Sequence, residues 1–270
     1  SGNTTRNNFI LLFVGMVLLL AFVGIELFKA QRGQEPLLDL RRFKDLTFAL
    51  SGLALVFSSF VYFGLLFLLP VYLQNLHHET AFQSGMIQVA QALATLLILP
   101  LVGRLSDRIG PRPIALIGLI LFIAATAMMT MLALQTPVWM LVGIFIVLGW
   151  SNGLAQQIPV AAMSRIESYE SQEIATGSTL ITVLRAIAAP LGVALLSNIV
   201  QLQTQVYMKR GALRGIPGEL FIQQSSLWAL HDSFLLASLI AVAALVTMYF
   251  VPRKRKNRQE QPVPTPLLEE

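Results

Sequence analysis

Cysteine is absent from the 270 residues, which excludes a disulfide framework, a thiol nucleophile and a cysteine-ligated metal. Charge is scarce: Asp, Glu, Lys and Arg make up 12% of the chain, about half of the ~25% a soluble domain carries. It is scarcest in seven apolar runs, at 9–28, 48–72, 84–102, 114–134, 138–158, 174–200 and 228–251, whose only charged residues are Glu26, Arg185 and Asp232. None of the runs holds a lysine, since Lys29, Lys44, Lys209, Lys254 and Lys256 all lie outside them, so a retinal-type Schiff base is excluded. The runs lack the period-2 alternation of a membrane β-barrel. His77 and His78 are adjacent, a spacing that does not bring both to one metal from a helix. His231 and Asp232 lack a GxSxG-type nucleophile signature, so neither a metal site nor a hydrolase is read here.

What is present is length and hydrophobicity. A spanning helix needs ~20 residues to cross ~30 Å of hydrocarbon, and each run reaches or nearly reaches that. Backbone groups in lipid must be satisfied within the segment, so the runs predict an all-α integral membrane protein with seven transmembrane helices. The first run has no basic n-region before it and no small-residue cleavage site after it, and reads as a span rather than a signal peptide. Ser1 in place of an initiating Met reads as a piece of a longer chain.

Basic residues near span ends are retained on the cytoplasmic side. Lys29, Arg32, Arg41, Arg42 and Lys44 fall on one side, together with Arg104, Arg108, Arg112, Arg165 and the run at 253–258. That is 14 of the 19 Lys and Arg residues, and it predicts an outward amino end and a cytoplasmic carboxyl end. The net charge of +5 is thereby a topology signal, and no nucleic-acid partner is expected. The basic run suits anionic lipid headgroups, and the Pro-containing polar stretch beyond it predicts disorder. Residues 34–45, reading QEPLLDLRRFKD, suit a short interfacial helix; residues 201–227, with Gly211, Gly215, Pro217 and Gly218, read as a long outward loop.

Polar side chains inside spans mark helix faces turned away from lipid. Ser51, Ser58 and Tyr62 share one face, as do Ser84, Gln88, Gln91 and Thr95, then Asn152 with Gln156, then Ser178, Thr182 and Arg185 with Gly192 beyond. Such residues also serve as interhelical hydrogen-bonding groups at ~0.6 kcal/mol each. Stripes on several helices at once predict a shared polar cavity, lined by Arg185, Gln88, Gln91, Asn152, Gln156, Thr182 and Tyr62. Arg185 is the sharpest of these, because a charge near the bilayer centre costs ~2.5–3.5 kcal/mol on insertion scales. No carboxylate sits at comparable depth.

Residues 103–112 read GRLSDRIGPR. The spacing predicts a tight hairpin in which Gly103 lets helices approach, Arg104 pairs with Asp107 at i, i+3, Gly110 and Pro111 make the turn, and Arg108 and Arg112 stay free. An acidic residue there could also cap a neighbouring helix N-terminus, a contact that breaks when two bundles rock apart.

This stretch resembles the G-x-L-x-D-R-x-G-x-[KR] loop of the major facilitator superfamily in its second-half copy. EPLLDLRRF, PVYLQ at 70–74 and LRAIAAPLGVAL at 184–195 are similar to the EmrB/QacA-type fourteen-span drug:proton antiporters. Arg185, Gly192, Val193 and Ala194 match the pattern R-x-L-G-G-x-L-G-V-A; Ala188, Ala189 and Pro190 depart from its Gly pair and small residue. The resemblance implies one extra span at 1–33, a cytoplasmic interfacial linker at 34–47, a six-helix carboxyl-terminal half-bundle at 48–252 and a basic cytoplasmic tail at 253–270. It implies a bacterial inner-membrane secondary transporter that exports hydrophobic or cationic drugs by alternating access. The driving force would be a proton gradient without a cofactor, and the chain would not be an enzyme. Gly103, Arg104, Asp107, Arg108, Gly110 and Arg112 would form the cytoplasmic gate. The implied partners are the lipid bilayer, a small-molecule substrate, the missing amino-terminal half of the transporter and a periplasmic adaptor. A siderophore, lipid or amino-acid product is an alternative cargo, and a seven-helix membrane receptor is the alternative of another class.

Overall fold

The computed structural model describes residues 40–163, 171–213 and 219–252. The run at 9–28, most of the stretch expected as an interfacial helix, Arg165 and the tail from 253 lie outside the described residues.

A short 3-10 turn at Leu40–Lys44 leads into seven helices: α1 (Leu46–Asn75), α2 (Ala81–Ile109), α3 (Pro111–Met129), α4 (Val138–Ala155), α5 (Gln157–Met163), α6 (Ser171–Leu213) and α7 (Glu219–Tyr249). Helices α4 and α5 together make one crossing, so the described residues hold six helices long and apolar enough to cross a membrane. The remaining expected span is the one outside the described residues.

Local chemistry sets the boundaries. Asp45 caps α1 by accepting the Thr47 N–H at 2.9 Å. Thr80 and Gln83 form a reciprocal capping box at the start of α2. Gly110 adopts φ +87°, a left-handed conformation that glycine takes without a Cβ penalty. Pro111 then opens α3 at once, so the turn is a single residue long. The α4–α5 break falls at Gln156, three residues before Pro159, which has no N–H to offer the preceding turn.

Helix α1 packs against α6 and α7, with α5 against it as well; α3 and α4 pair, α7 lies against α3, and α2 rests chiefly on α4. In its most apolar stretch α1 is 56% buried, whereas α2 and α6 are 17% and 28% buried. Those two helices therefore stand at the rims of one open face. The core divides into two apolar clusters, one with Leu65, Tyr72, Phe145 and Phe234, the other with Phe48, Leu55, Leu180 and Met248.

Two close crossings hold the rims. A Cβ on Gly192 of α6 would meet the Phe60 carbonyl of α1, and one on Gly149 of α4 would meet the Gln91 carbonyl of α2. Glycine is required at both because backbone, which cannot rotate away, occupies the space.

The long loop expected at 201–227 is corrected. Helix α6 continues to Leu213 and α7 begins at Glu219, leaving only 214–218 outside the described residues. At 43 residues, α6 is about 65 Å long at 1.5 Å per residue, roughly twice the hydrocarbon thickness. Gln, Leu, Met, Lys and Arg in 201–210 are good helix formers, and hydropathy registers only the apolar part of such a helix. The extension packs on α7: the Tyr207 hydroxyl donates to Asp232 Oδ2 at 2.7 Å, and the Tyr207 and Trp228 rings meet edge to face at 5.6 Å.

Candidate functional site

Between α2 and α6 the open face carries three adjoining hollows. The central one, about 180 Å³, is walled by Leu55, Tyr62 and Phe63 of α1, Phe122 of α3, Asn152 of α4, and Arg185 of α6. Tyr62 and Asn152 also border a hollow of about 570 Å³ on the α2 side, and Gln156 and Arg185 one of about 460 Å³ toward α5. The shared residues set the three side by side along one trough. Tyr62 lies within two residues of the middle of α1, and Asn152 within two of the middle of the Val138–Met163 crossing, so both stand at mid-height. Leu55 and Phe122 come from the two different apolar clusters, and the polar layer occupies the seam between them.

The seven residues expected at a cavity all border this trough. Their roles within the bundle differ. The Arg185 guanidinium donates from Nη2 to Gln156 Oε1 at 3.3 Å, crossing from α6 to the helix break. Gln91 is buried and donates from Nε2 to the Tyr62 hydroxyl oxygen at 3.3 Å, tying α2 to α1. The Gln88 amide returns to its own helix at Ser84 O, and the Thr182 hydroxyl to Ser178 O. Asn152 makes no side-chain hydrogen bond among the described residues and faces the central hollow.

Thr95 shows the other fate of a striped polar residue: its hydroxyl lies 2.9 Å from Gly149 O, a bond that joins α2 to α4 beside their close crossing. Sequence reading missed Leu55, Ser59, Phe63 and Phe122 as walls. The Ser58–Ser59 doublet was the available signal for Ser59, because two adjacent hydroxyls cannot share one stripe. Nothing in the sequence separates Phe63 or Phe122 from a lipid-facing ring.

The loop motif is positioned otherwise than expected. Gly110 does make the turn, but a Cβ on Gly103 would meet nothing within 4 Å, so no helix of the described residues approaches there. Arg104, Asp107 and Arg108 are exposed, and among the described residues Arg104 and Asp107 form no ion pair. An exposed i, i+3 pair gains only a few tenths of a kcal/mol, too little to hold two mobile side chains in one geometry. Arg112, expected to stay free, donates from Nη2 to the Tyr249 carbonyl at the end of α7, where a cation complements the helix dipole. Ser106 donates to Gln157 Oε1 at 2.8 Å and fastens the end of α2 to α5.

Comparison with known proteins accords with this architecture. The family model of the Major Facilitator Superfamily matches residues 7–193. The MFS-type transporter YhcA of Bacillus subtilis is 26% identical over 91% of this chain and 52% of its own length. A multidrug resistance protein B homolog of Mycobacterium tuberculosis is 26% identical over 92% of this chain and 50% of its own. The lincomycin resistance protein LmrB of Listeria monocytogenes is 27% identical over 87% and 48%. The chain thus spans about half the length of the curated relatives it matches.

Proposed function

The chain belongs to the major facilitator superfamily, and from that premise we propose that it serves as one of the two six-helix bundles of a multidrug exporter in a bacterial inner membrane. A second bundle, equivalent to the amino-terminal half expected from the sequence, would close over the open face between α2 and α6. The two would rock about the trough, exposing it alternately to either side of the membrane. The observation that carries this reading is the trough itself, a polar layer at mid-height in helices that are otherwise apolar. The central hollow alone is small, but with its two larger neighbours and their aromatic and aliphatic walls the trough suits a hydrophobic, drug-sized cargo, in keeping with relatives named for multidrug and lincomycin resistance.

The proton gradient is the proposed driving force. The lining of the trough includes no carboxylate among the described residues, and the group that carries the coupled proton is proposed to belong to the other bundle. The exposed Asp107, on the end of the bundle that the basic residues assign to the cytoplasm, would act as a gate contact to that bundle.

The test is efflux of a neutral lipophilic dye, N-phenyl-1-naphthylamine, from an exporter-deficient bacterial strain. The chain alone is compared with the chain joined to a second bundle from a relative. Efflux by the joined protein that a protonophore abolishes is the expected result. Dye retention equal to that of cells carrying an empty vector, with both proteins present in the membrane, would refute the exporter reading.

A further inference from the structure

We infer that Arg185 is the recognition group for an anionic cargo, an apolar aromatic compound carrying a single carboxylate or comparable negative charge. This deepens the exporter reading and rests on it. Among the described residues Arg185 is the only Lys, Arg, Asp or Glu bordering any of the three hollows, so their interior, so far as these residues form it, is net positive. A guanidinium offers five N–H donors in a planar fork matched to a carboxylate. The one hydrogen bond Arg185 makes among the described residues goes to a neutral amide oxygen, Gln156 Oε1, at 3.3 Å. Among the described residues its charge has no counter-charge, although it borders a hollow within the membrane-spanning part of the bundle.

The neighbouring donors are arranged for the same ligand. Gln91 gives an N–H to the Tyr62 oxygen, which leaves the phenolic O–H free to donate into the central hollow. The Asn152 amide borders the same hollow with its donors unused among the described residues. Tyr62 and Asn152 can therefore hydrogen-bond an anion whose charge faces Arg185, while Leu55, Phe63 and Phe122 receive its apolar body. A cationic cargo would put a second positive charge into the same low-dielectric space, where like charges repel strongly. The cationic drugs implied by the family resemblance are thereby disfavoured at this position.

The experiment uses the complete transporter that contains this chain, reconstituted in liposomes. Three probes share one scaffold: naphthalene-2-carboxylate, its methyl ester, and the (2-naphthylmethyl)trimethylammonium cation. Binding is read from naphthalene fluorescence. The carboxylate is expected to bind about tenfold or more tighter than the ester, the scale of a charge-assisted hydrogen bond. Arg185→Gln is expected to remove that preference and Arg185→Lys to keep part of it, with folding of each variant reported separately by its thermal unfolding midpoint.

Equal affinity for all three probes would overturn the assignment, as would an Arg185→Gln variant that weakens them alike. The first of these results follows if a carboxylate of the second bundle already neutralises Arg185. Binding of the ester or the cation without the carboxylate overturns the anion assignment and leaves the exporter reading intact. Failure to bind any probe by a transporter that still exports N-phenyl-1-naphthylamine overturns this inference alone, whereas failure of both assays removes the exporter reading as well.

Discussion

Gly192 provides the sharpest test of how the trough is held. A Cβ added there would collide with the Phe60 carbonyl, and also with the Phe60 Cα at 2.9 Å, both backbone atoms of α1. Relief requires α6 to move away from α1, at the overpacking cost of about 1–3 kcal/mol. Two other glycines serve as controls. A Cβ on Gly52 would meet Leu184 Cδ1 at 3.4 Å and Phe43 at 3.6 Å, ordinary contacts, and one on Gly103 would meet nothing within 4 Å. Alanine at either gains about 0.5–1 kcal/mol of helix propensity without a clash. The three variants differ by the same single methyl group, so composition cannot explain a divergence among them.

The assay is thermal unfolding of the detergent-solubilised protein followed by tryptophan fluorescence. Using the roughly 2–4 °C per kcal/mol of a 150–250-residue domain, Gly192→Ala is expected to lower the midpoint by several degrees, whereas Gly52→Ala and Gly103→Ala leave it unchanged or raise it. Gly192 lies seven residues, two helical turns, beyond Arg185 on the same face. Moving α6 outward also widens the central hollow and weakens probe binding there. A Gly192→Ala variant as stable as Gly103→Ala would refute the close crossing of α6 on α1.

Other outcomes follow from the same packing. Arg112→Ala should destabilise by about 0.5–2 kcal/mol through loss of the contact that completes the α7 C-terminus, while Arg104→Ala, exposed and unpaired among the described residues, should shift the unfolding midpoint by less than a degree. Asp107→Asn should leave membrane abundance unchanged and reduce efflux by the complete transporter; unchanged efflux would remove the gating role. In this cysteine-free chain, Arg185→Cys should react with a water-soluble thiol reagent and Ala188→Cys, whose position is 1% exposed, should not, as mass spectrometry would show. Tyr207→Phe should cost about 1 kcal/mol through the lost bond to Asp232, read as faster proteolysis of the α6–α7 hairpin.

Five of the apolar runs and their helices agree to within a few residues at most ends, because ~30 Å of hydrocarbon and the demand for internal backbone hydrogen bonds leave a long apolar segment one structure. The largest miss was at 201–227, where polar residues read as a loop. Hydropathy measures transfer into lipid, whereas continuation of α6 beyond lipid depends on propensity and on a partner such as Trp228, and neither has a hydropathy signature. The polar stripes on α1, α2, α4 and α6 were legible through 3.6-residue periodicity, and they share a trough. Their division of labour was not: Gln91 and Thr95 lie one turn apart, yet Gln91 orients Tyr62 and Thr95 bonds Gly149 O. That difference depends on which atoms of neighbouring helices stand within 3.5 Å.

Taken alone, the sequence determined that the chain is helical and built to cross a membrane, that its basic residues collect at one end, and that a cation sits at mid-height without a nearby acid. These are properties of single segments, set by the energetics of lipid transfer. Tertiary structure alone decided that α2 and α6 flank one open face, that Arg112 is committed to α7 while Arg104 and Asp107 form no pair with each other, and that Gly192 and Gly149, rather than Gly103, mark the tight crossings. Those depend on distances between segments far apart in the chain, and a helix's own sequence shows which of its faces is polar without showing which neighbour will meet it.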